Sequence, residues 1–70
     1  MKYFVVIGKA EGNYSAYVPD LPGCIAVGDT VEEVEESIRS AIDFHIRGML
    51  EDGLEIPKPS IFKEVEVPAR

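Results

Sequence analysis

The spacing of hydrophobic positions along this 70-residue chain changes from period two to three-or-four and back again, and the changes separate strands from a helix. Tyr3 to Lys9 is rich in β-branched and aromatic residues and predicts a first strand. That strand is apolar on both sides, with Tyr3, Val5 and Ile7 on one and Phe4 and Val6 on the other. Ala10 to Asn13 carries Gly12-Asn13, a turn pair that joins antiparallel neighbours. Tyr14, Ala16 and Val18 then alternate with Ser15 and Tyr17, which predicts a second strand with two unlike faces. Pro19 and Pro22 lack a backbone donor, so pairing should stop at Val18, and Gly23 can close the turn with a positive φ. Cys24 to Val27 predicts a third short strand, which Gly28-Asp29-Thr30 breaks.

From Val31 to Asp52 the apolar residues Val34, Ile38, Ala41, Ile42, Ile46 and Met49 make one helical stripe. A helix over that span is roughly 33 Å long. The Thr30 hydroxyl is placed to accept from the Glu33 amide while Glu33 reaches back, a reciprocal capping box. Glu32, Glu33, Glu35 and Glu36 crowd the positive end of the helix dipole. Glu35 with Arg39 and Asp43 with Arg47 are four-residue pairs on the wet side. Gly48 weakens the last turns by about 1 kcal/mol relative to alanine. Gly53 suits the left-handed residue that ends a helix, with Leu54 folding back toward Met49. Ile56-Pro57-Lys58-Pro59 is an extended connector. Ile61 to Val67 predicts a last strand, with Ile61, Lys63, Val65 and Val67 on one face and Phe62, Glu64 and Glu66 on the other. The expected architecture is a small α+β domain over residues 1–70, in the order β-β-β-α-β, with one helix packed on a mostly antiparallel sheet.

One helix covers one face of a sheet, so the opposite face stays wet or needs another cover. The doubly apolar first strand therefore predicts burial against a second surface, and with it a protein partner. A chain this short buries only about 60% of its unfolded surface, and such small domains usually gain stability from disulfides, metals or association. The single Cys24 excludes an internal disulfide and no Cys/His cluster offers a metal site, so self-association into a dimer or tetramer is expected. The formal charge of −6 and only seven scattered Lys and Arg argue against direct binding to nucleic acid. An acidic surface suits a basic protein partner. One lysine and the brief apolar run Tyr3 to Ile7 are too short for a signal peptide or a membrane span. A lone cysteine fits a reducing compartment, and the cytoplasm is the expected location.

Tyr17-Val18-Pro19-Asp20-Leu21-Pro22-Gly23-Cys24, then Ala26, Gly28-Asp29-Thr30 and Glu33, then Ala41, His45 and Gly53-Leu54-Glu55-Ile56-Pro57-Lys58-Pro59 follow one another in a specific order. In these residues the chain resembles the HicB family of bacterial and archaeal antitoxins over nearly its whole length. The resemblance implies a degenerate ribonuclease-H-like fold. It also implies a partner, a small basic HicA-type toxin that cleaves messenger RNA, which the antitoxin binds and covers. Family members usually add a carboxy-terminal helix-turn-helix or ribbon-helix-helix domain for autoregulation on DNA. Here the sequence stops at Arg70, so DNA binding is not carried over.

The candidate chemistry is weighed against that expectation. Cys24 has no cationic neighbour in sequence and reads as a buried small hydrophobe rather than a nucleophile. His45 flanks the apolar stripe and reads as packed. Asp20, Asp29 and Asp43 invite comparison with the magnesium-binding carboxylates of ribonuclease H enzymes, but each has a local structural use and no strand carries an Asp. The expectation is a protein without catalytic activity, cofactor or metal, acting by stoichiometric binding through Tyr14, Tyr17, Asp20, Glu32 and Glu36. The alternative is a self-associating binding module of the same fold with no toxin.

Overall fold

The period-two segments form three strands, β1 (Val6–Ala10), β2 (Asn13–Tyr17) and β3 (Ile25–Gly28), and the period-3.6 segment forms one helix, α1 (Val31–Glu51). The computed structural model describes residues 2–68. The strands make an antiparallel sheet in the order β1-β2-β3. Val6 lies opposite Tyr17 and Ala10 opposite Asn13, while Tyr14 lies opposite Gly28 and Tyr17 opposite Ile25. The α+β class expected from the sequence is the one observed.

The hairpin turn falls one residue earlier than the Gly12-Asn13 pair suggests. Asn13 is already paired with Ala10, and Glu11-Gly12 makes the link with Gly12 at φ 83°. β1 also starts later than Tyr3. The position opposite Val5 would be Val18, whose amide donates to the Cys24 carbonyl (3.2 Å) and whose carbonyl accepts from Leu21 (3.1 Å). With those groups turned away from β1, residues 2–5 form an arm without ladder partners.

The turn between β2 and β3 contributes to the core as well as reversing the chain. Cys24 donates to the Leu21 carbonyl at 3.1 Å, Gly23 takes φ 84°, and the Leu21 side chain is fully buried. Leu21 joins Ala16, Val18, Cys24, Val34 and Ile38, with Tyr3, Val5, Tyr14, Ala26, Ala41 and Ile42 packed around them. Burial pushes the Cys24 thiol pKa up, which lowers its thiolate fraction near neutral pH.

α1 begins as its residues predict, with Thr30 extended at φ −131° and its Oγ1 accepting from the Glu33 amide at 3.1 Å. Among the described residues the return half of the capping box is absent, and Glu33 is one of the residues that line a groove beside β3. At the other end the Gly53 amide donates to Leu50 (3.1 Å) and the Leu54 amide to Met49 (2.9 Å), with Gly53 at φ 71°. These two bonds are those of a Schellman motif. Twenty-one helical residues reach about 32 Å, whereas the four residues of β3 reach only about 13 Å. Only Val34 and Ile38 of the stripe are therefore buried, and Ile46 and Met49 remain half-exposed beyond the sheet.

The expected fifth element, Ile61 to Val67, is a correction. Among the described residues this segment joins no ladder and lies exposed. The connector before it is fastened at two points. Tyr3 Oη donates to the Pro57 carbonyl, and Asp20 accepts from the Ser60 amide (Oδ2, 2.8 Å) and from Ser60 Oγ. The tail then meets the arm, where the Phe4 and Phe62 ring centroids are 4.1 Å apart. At that point the arm is itself outside the ladder, so the tail finds no paired strand to extend.

Candidate functional site

Register divides the sheet into an inner face against α1 and an outer face. Directly opposed residues point the same way, so Val6, Ser15, Tyr17, Ile25 and Val27 share the outer face. Ile25 is 70% exposed and Val27 65%, with Tyr17 half-exposed between Val6 and Ile25. These residues form an apolar surface across three strands that α1, on the other side, does not cover.

The backbone at the end of that surface is also unpartnered. β3 is an edge strand, since the sheet order is β1-β2-β3. The bond from the Val18 amide to the Cys24 carbonyl sets the phase of the β2–β3 ladder. In an antiparallel pair hydrogen-bonded and non-bonded positions alternate. Ala26 and Gly28 therefore bond to β2, while Ile25 and Val27 aim their N–H and C=O groups away from it, along the open edge. Edge strands of soluble proteins are commonly blunted by lysine, proline or a bulge, and Ile25–Gly28 carries neither lysine nor proline.

Between this edge and α1 lies an open groove of about 520 Å³ lined by Val27, Gly28, Asp29, Glu33, Glu36 and Ser37. The close approach of helix and strand at its floor has a sequence cause. A Cβ on Gly28 would stand 2.7 Å from the Val34 backbone nitrogen and 3.1 Å from the Glu33 carbonyl carbon, so glycine lets the first helical turn lie against β3. That approach brings the carboxylates of the first turns beside the edge. A second groove of about 380 Å³ runs between the arm and α1, lined by Lys2, Tyr3, Val5, Glu35, Ile38, Arg39 and Ile42.

The residues expected as contacts do not gather in one place. Tyr17 is on the outer face, but Tyr14 is on the inner one, half-buried against the core with the Lys9 ammonium 5.9 Å from its ring centre. Asp20 is engaged by Ser60, whose two hydrogen bonds hold the carboxyl pKa below the usual aspartate value. Glu36 lines the β3 groove and is paired with Arg39 at 3.0 Å. Glu32 stands exposed in the first turn. Beside Glu36 the structure places Glu33, from the same acidic run at the helix start, together with Val27 and Asp29, whose sequence reading is strand and helix start alone. The alternation of Ile25 and Val27 was the available signal, but without a register it does not show which face is bare.

The three aspartates compared with a magnesium site lie apart in the fold. Asp20 is in the turn bound to Ser60, Asp29 precedes the helix, and Asp43 pairs with Arg47 at 3.1 Å. Among the described residues no three His, Cys, Asp or Glu converge as metal ligands, and no helix is long and apolar enough to cross a membrane. What this geometry offers is contact area: an open strand edge, an apolar face and an acidic groove.

Comparison with known proteins adds to this. The family model of the HicB-like antitoxins of bacterial toxin–antitoxin systems matches residues 3–68. An uncharacterised 14.9 kDa protein from the rep–hol intergenic region of Haemophilus phage HP1 is 48% identical over 58 residues, covering 83% of this chain and 44% of that protein. The antitoxin HicB 2 of Photorhabdus laumondii is 37% identical over 75 residues, covering 99% of this chain and 51% of that one. The chain thus spans about half the length of these two relatives. A UPF0150 protein of Thermoplasma acidophilum is 41% identical over 59 residues and is covered over 86% of its length. Among solved structures, a chain of a HicA3–HicB3 toxin–antitoxin complex superposes with a TM-score of 0.72 at 27% identity, covering 84% of this chain and 70% of that one.

Proposed function

Since the chain belongs to the HicB-like antitoxin family, we propose that it neutralises a small basic HicA-type toxin by binding it and covering the surface that meets messenger RNA. The observation that carries this reading is the bare outer face of the sheet, with Ile25 and Val27 exposed beside Tyr17. Solvent-facing apolar surface of this kind is stabilised by a covering protein. The net charge of −6 fits a basic partner, because complementary charge speeds encounter and fixes orientation. Inhibition is by occlusion and is stoichiometric. The antitoxin supplies no catalytic group, and its one thiol is buried with a raised pKa. Of the contacts proposed from sequence, Tyr17 and Glu32 face solvent and are free to take part, Glu36 is exposed but shared with Arg39, and Tyr14 and Asp20 act through the shape they maintain. The reading places the protein in the cytoplasm, where its messenger-RNA-cleaving partner acts.

The test is a search for a short basic open reading frame beside the gene, followed by co-expression with its product. Rescue of growth together with co-purification supports the proposal; a toxic product whose effect is unchanged by the folded antitoxin overturns it.

A self-associating module with no toxin is the second reading, and the exposed tail favours it. Ile61, Val65 and Val67 alternate along an unpaired segment and stand mostly in solvent. Light scattering that gives the mass of one chain at micromolar concentration removes that reading.

A further inference from the structure

We propose that the open edge of β3 receives a β-strand from the partner, a segment in which lysine or arginine alternates with apolar residues. The inference rests on the reading that the protein works by binding a basic protein, and it names the surface and the chemistry of what docks there.

Three observations lead to it. First, Ile25 and Val27 direct their backbone donors and acceptors outward, so an added strand finds a preformed ladder. Second, the two sides of that added strand meet different surroundings. On the outer side its residues continue the apolar row of Ile25 and Val27. On the inner side they hang over the groove that contains Asp29, Glu33 and Glu36. Side chains of a strand alternate between faces, so the matching sequence alternates apolar and basic. Third, the opposite edge is partly occupied, since the connector and tail pass the arm that precedes β1 and Phe62 rests on Phe4.

A second copy of this chain is a poor match for the same edge. Its alternating segment, Ile61 to Val67, carries Glu64 and Glu66 on one side and a single lysine, Lys63, on the other. Apolar residues placed outward set Lys63 beside them on the outer row and leave Phe62, Glu64 and Glu66 over the acidic groove. Like charges across an interface oppose docking. Within the groove Asp29 and Glu33 carry the recognition, because the Glu36 carboxylate is already shared with Arg39.

The experiment is an NMR titration of the ¹⁵N-labelled protein with a capped ten-residue peptide of alternating lysine and valine, and with a glutamate–valine peptide as control. The expected result is that the Ile25 and Val27 amides shift and become protected from exchange with the lysine peptide alone. Val27→Pro removes an outward amide that the β2–β3 ladder does not use, and Asp29→Lys with Glu33→Lys reverses the groove. Each variant is expected to weaken binding about tenfold or more, with folding checked by the chemical shifts of the Leu21 and Ile38 methyls. The proposal is overturned if the lysine peptide perturbs other surfaces only, if both peptides bind alike, or if the β3 amides instead respond to concentration as the chain dimerises. A HicA-type toxin from the same source separates the two ideas. If it binds without perturbing β3, the docking site is wrong and the antitoxin reading stands; if the peptide occupies β3 but the toxin does not bind at all, the reverse holds.

Discussion

Gly28→Ala against Gly8→Ala is the substitution pair that probes most sharply how this small fold is assembled. Both glycines lie in strands, and neither requires a positive φ. A methyl at Gly8 meets nothing within 4 Å, whereas one at Gly28 meets the Val34 nitrogen at 2.7 Å, the Val34 Cα at 3.0 Å and the Glu33 carbonyl carbon at 3.1 Å. All three contacts are helix backbone, which has no rotamer to escape into. Ordinary contact begins near 3.4 Å, so the start of α1 must retreat by about 0.7 Å. Overpacking of that kind costs about 1–3 kcal/mol, offset by about 0.4–1 kcal/mol from the less flexible unfolded chain. At Gly8 only the second effect operates. A 70-residue domain holds roughly 3.5–10 kcal/mol in total, so the difference is readily measured. Urea unfolding followed by circular dichroism, with a slope of about 1 kcal/mol per molar, should move the midpoint down by as much as about 2.6 M for Gly28→Ala and up by about 0.4–1 M for Gly8→Ala. A Gly28→Ala protein as stable as Gly8→Ala would falsify the close strand–helix approach and, with it, the shape of the acidic groove.

Three further outcomes follow from the same structure. Leu21→Ala empties a fully buried site in a six-residue core, so a loss of about 2–5 kcal/mol is expected in thermal or urea unfolding; a loss under 1 kcal/mol refutes the place of the turn in the core. Asp20 has a lowered pKa, so its bond to Ser60 is complete above the unfolded-state pKa and lost as pH falls through the lower folded-state value. The Ser60 amide resonance should therefore titrate on the acid side of an ordinary aspartate, and Asp20→Asn should abolish that titration; an unchanged titration shows that another group is responsible. Cys24 should react with Ellman's reagent only as the core opens, its labelling rate rising with urea in step with unfolding; fast labelling of the native protein contradicts its burial.

The elements with strong local chemistry were legible in the sequence. Thr30, Gly53 and Leu54 cap the helix as their residue types suggest, because capping is decided within a few residues. Gly23 closes its turn with the positive φ expected of it. What the sequence left open depends on register and distance. The alternation of Ile61 to Val67 has the spacing of a strand, but pairing needs an edge, and the connector delivers this segment to an arm that has no ladder of its own. Leu21 sits between two prolines, where composition suggests only a turn, and its burial follows from hydrogen bonds that fold the turn under the sheet. Tyr14 and Tyr17 show the same limit at the candidate site. Their odd spacing in the strand puts them on opposite faces, yet only the pairing with Gly28 and Ile25 shows which tyrosine meets the helix. Glu33 was legible as a capping residue, and its part in the groove became visible once Gly28 had brought the helix to the edge.

The most direct measurement is messenger-RNA cleavage by a HicA-type toxin from the same source as this chain is added in increasing ratio. Titration of a tight stoichiometric inhibitor should lower cleavage linearly to a residual near zero at a fixed whole-number ratio, with Asp29→Lys/Glu33→Lys needing a clear excess. Cleavage that continues unchanged past an equimolar amount of folded protein would contradict neutralisation by occlusion.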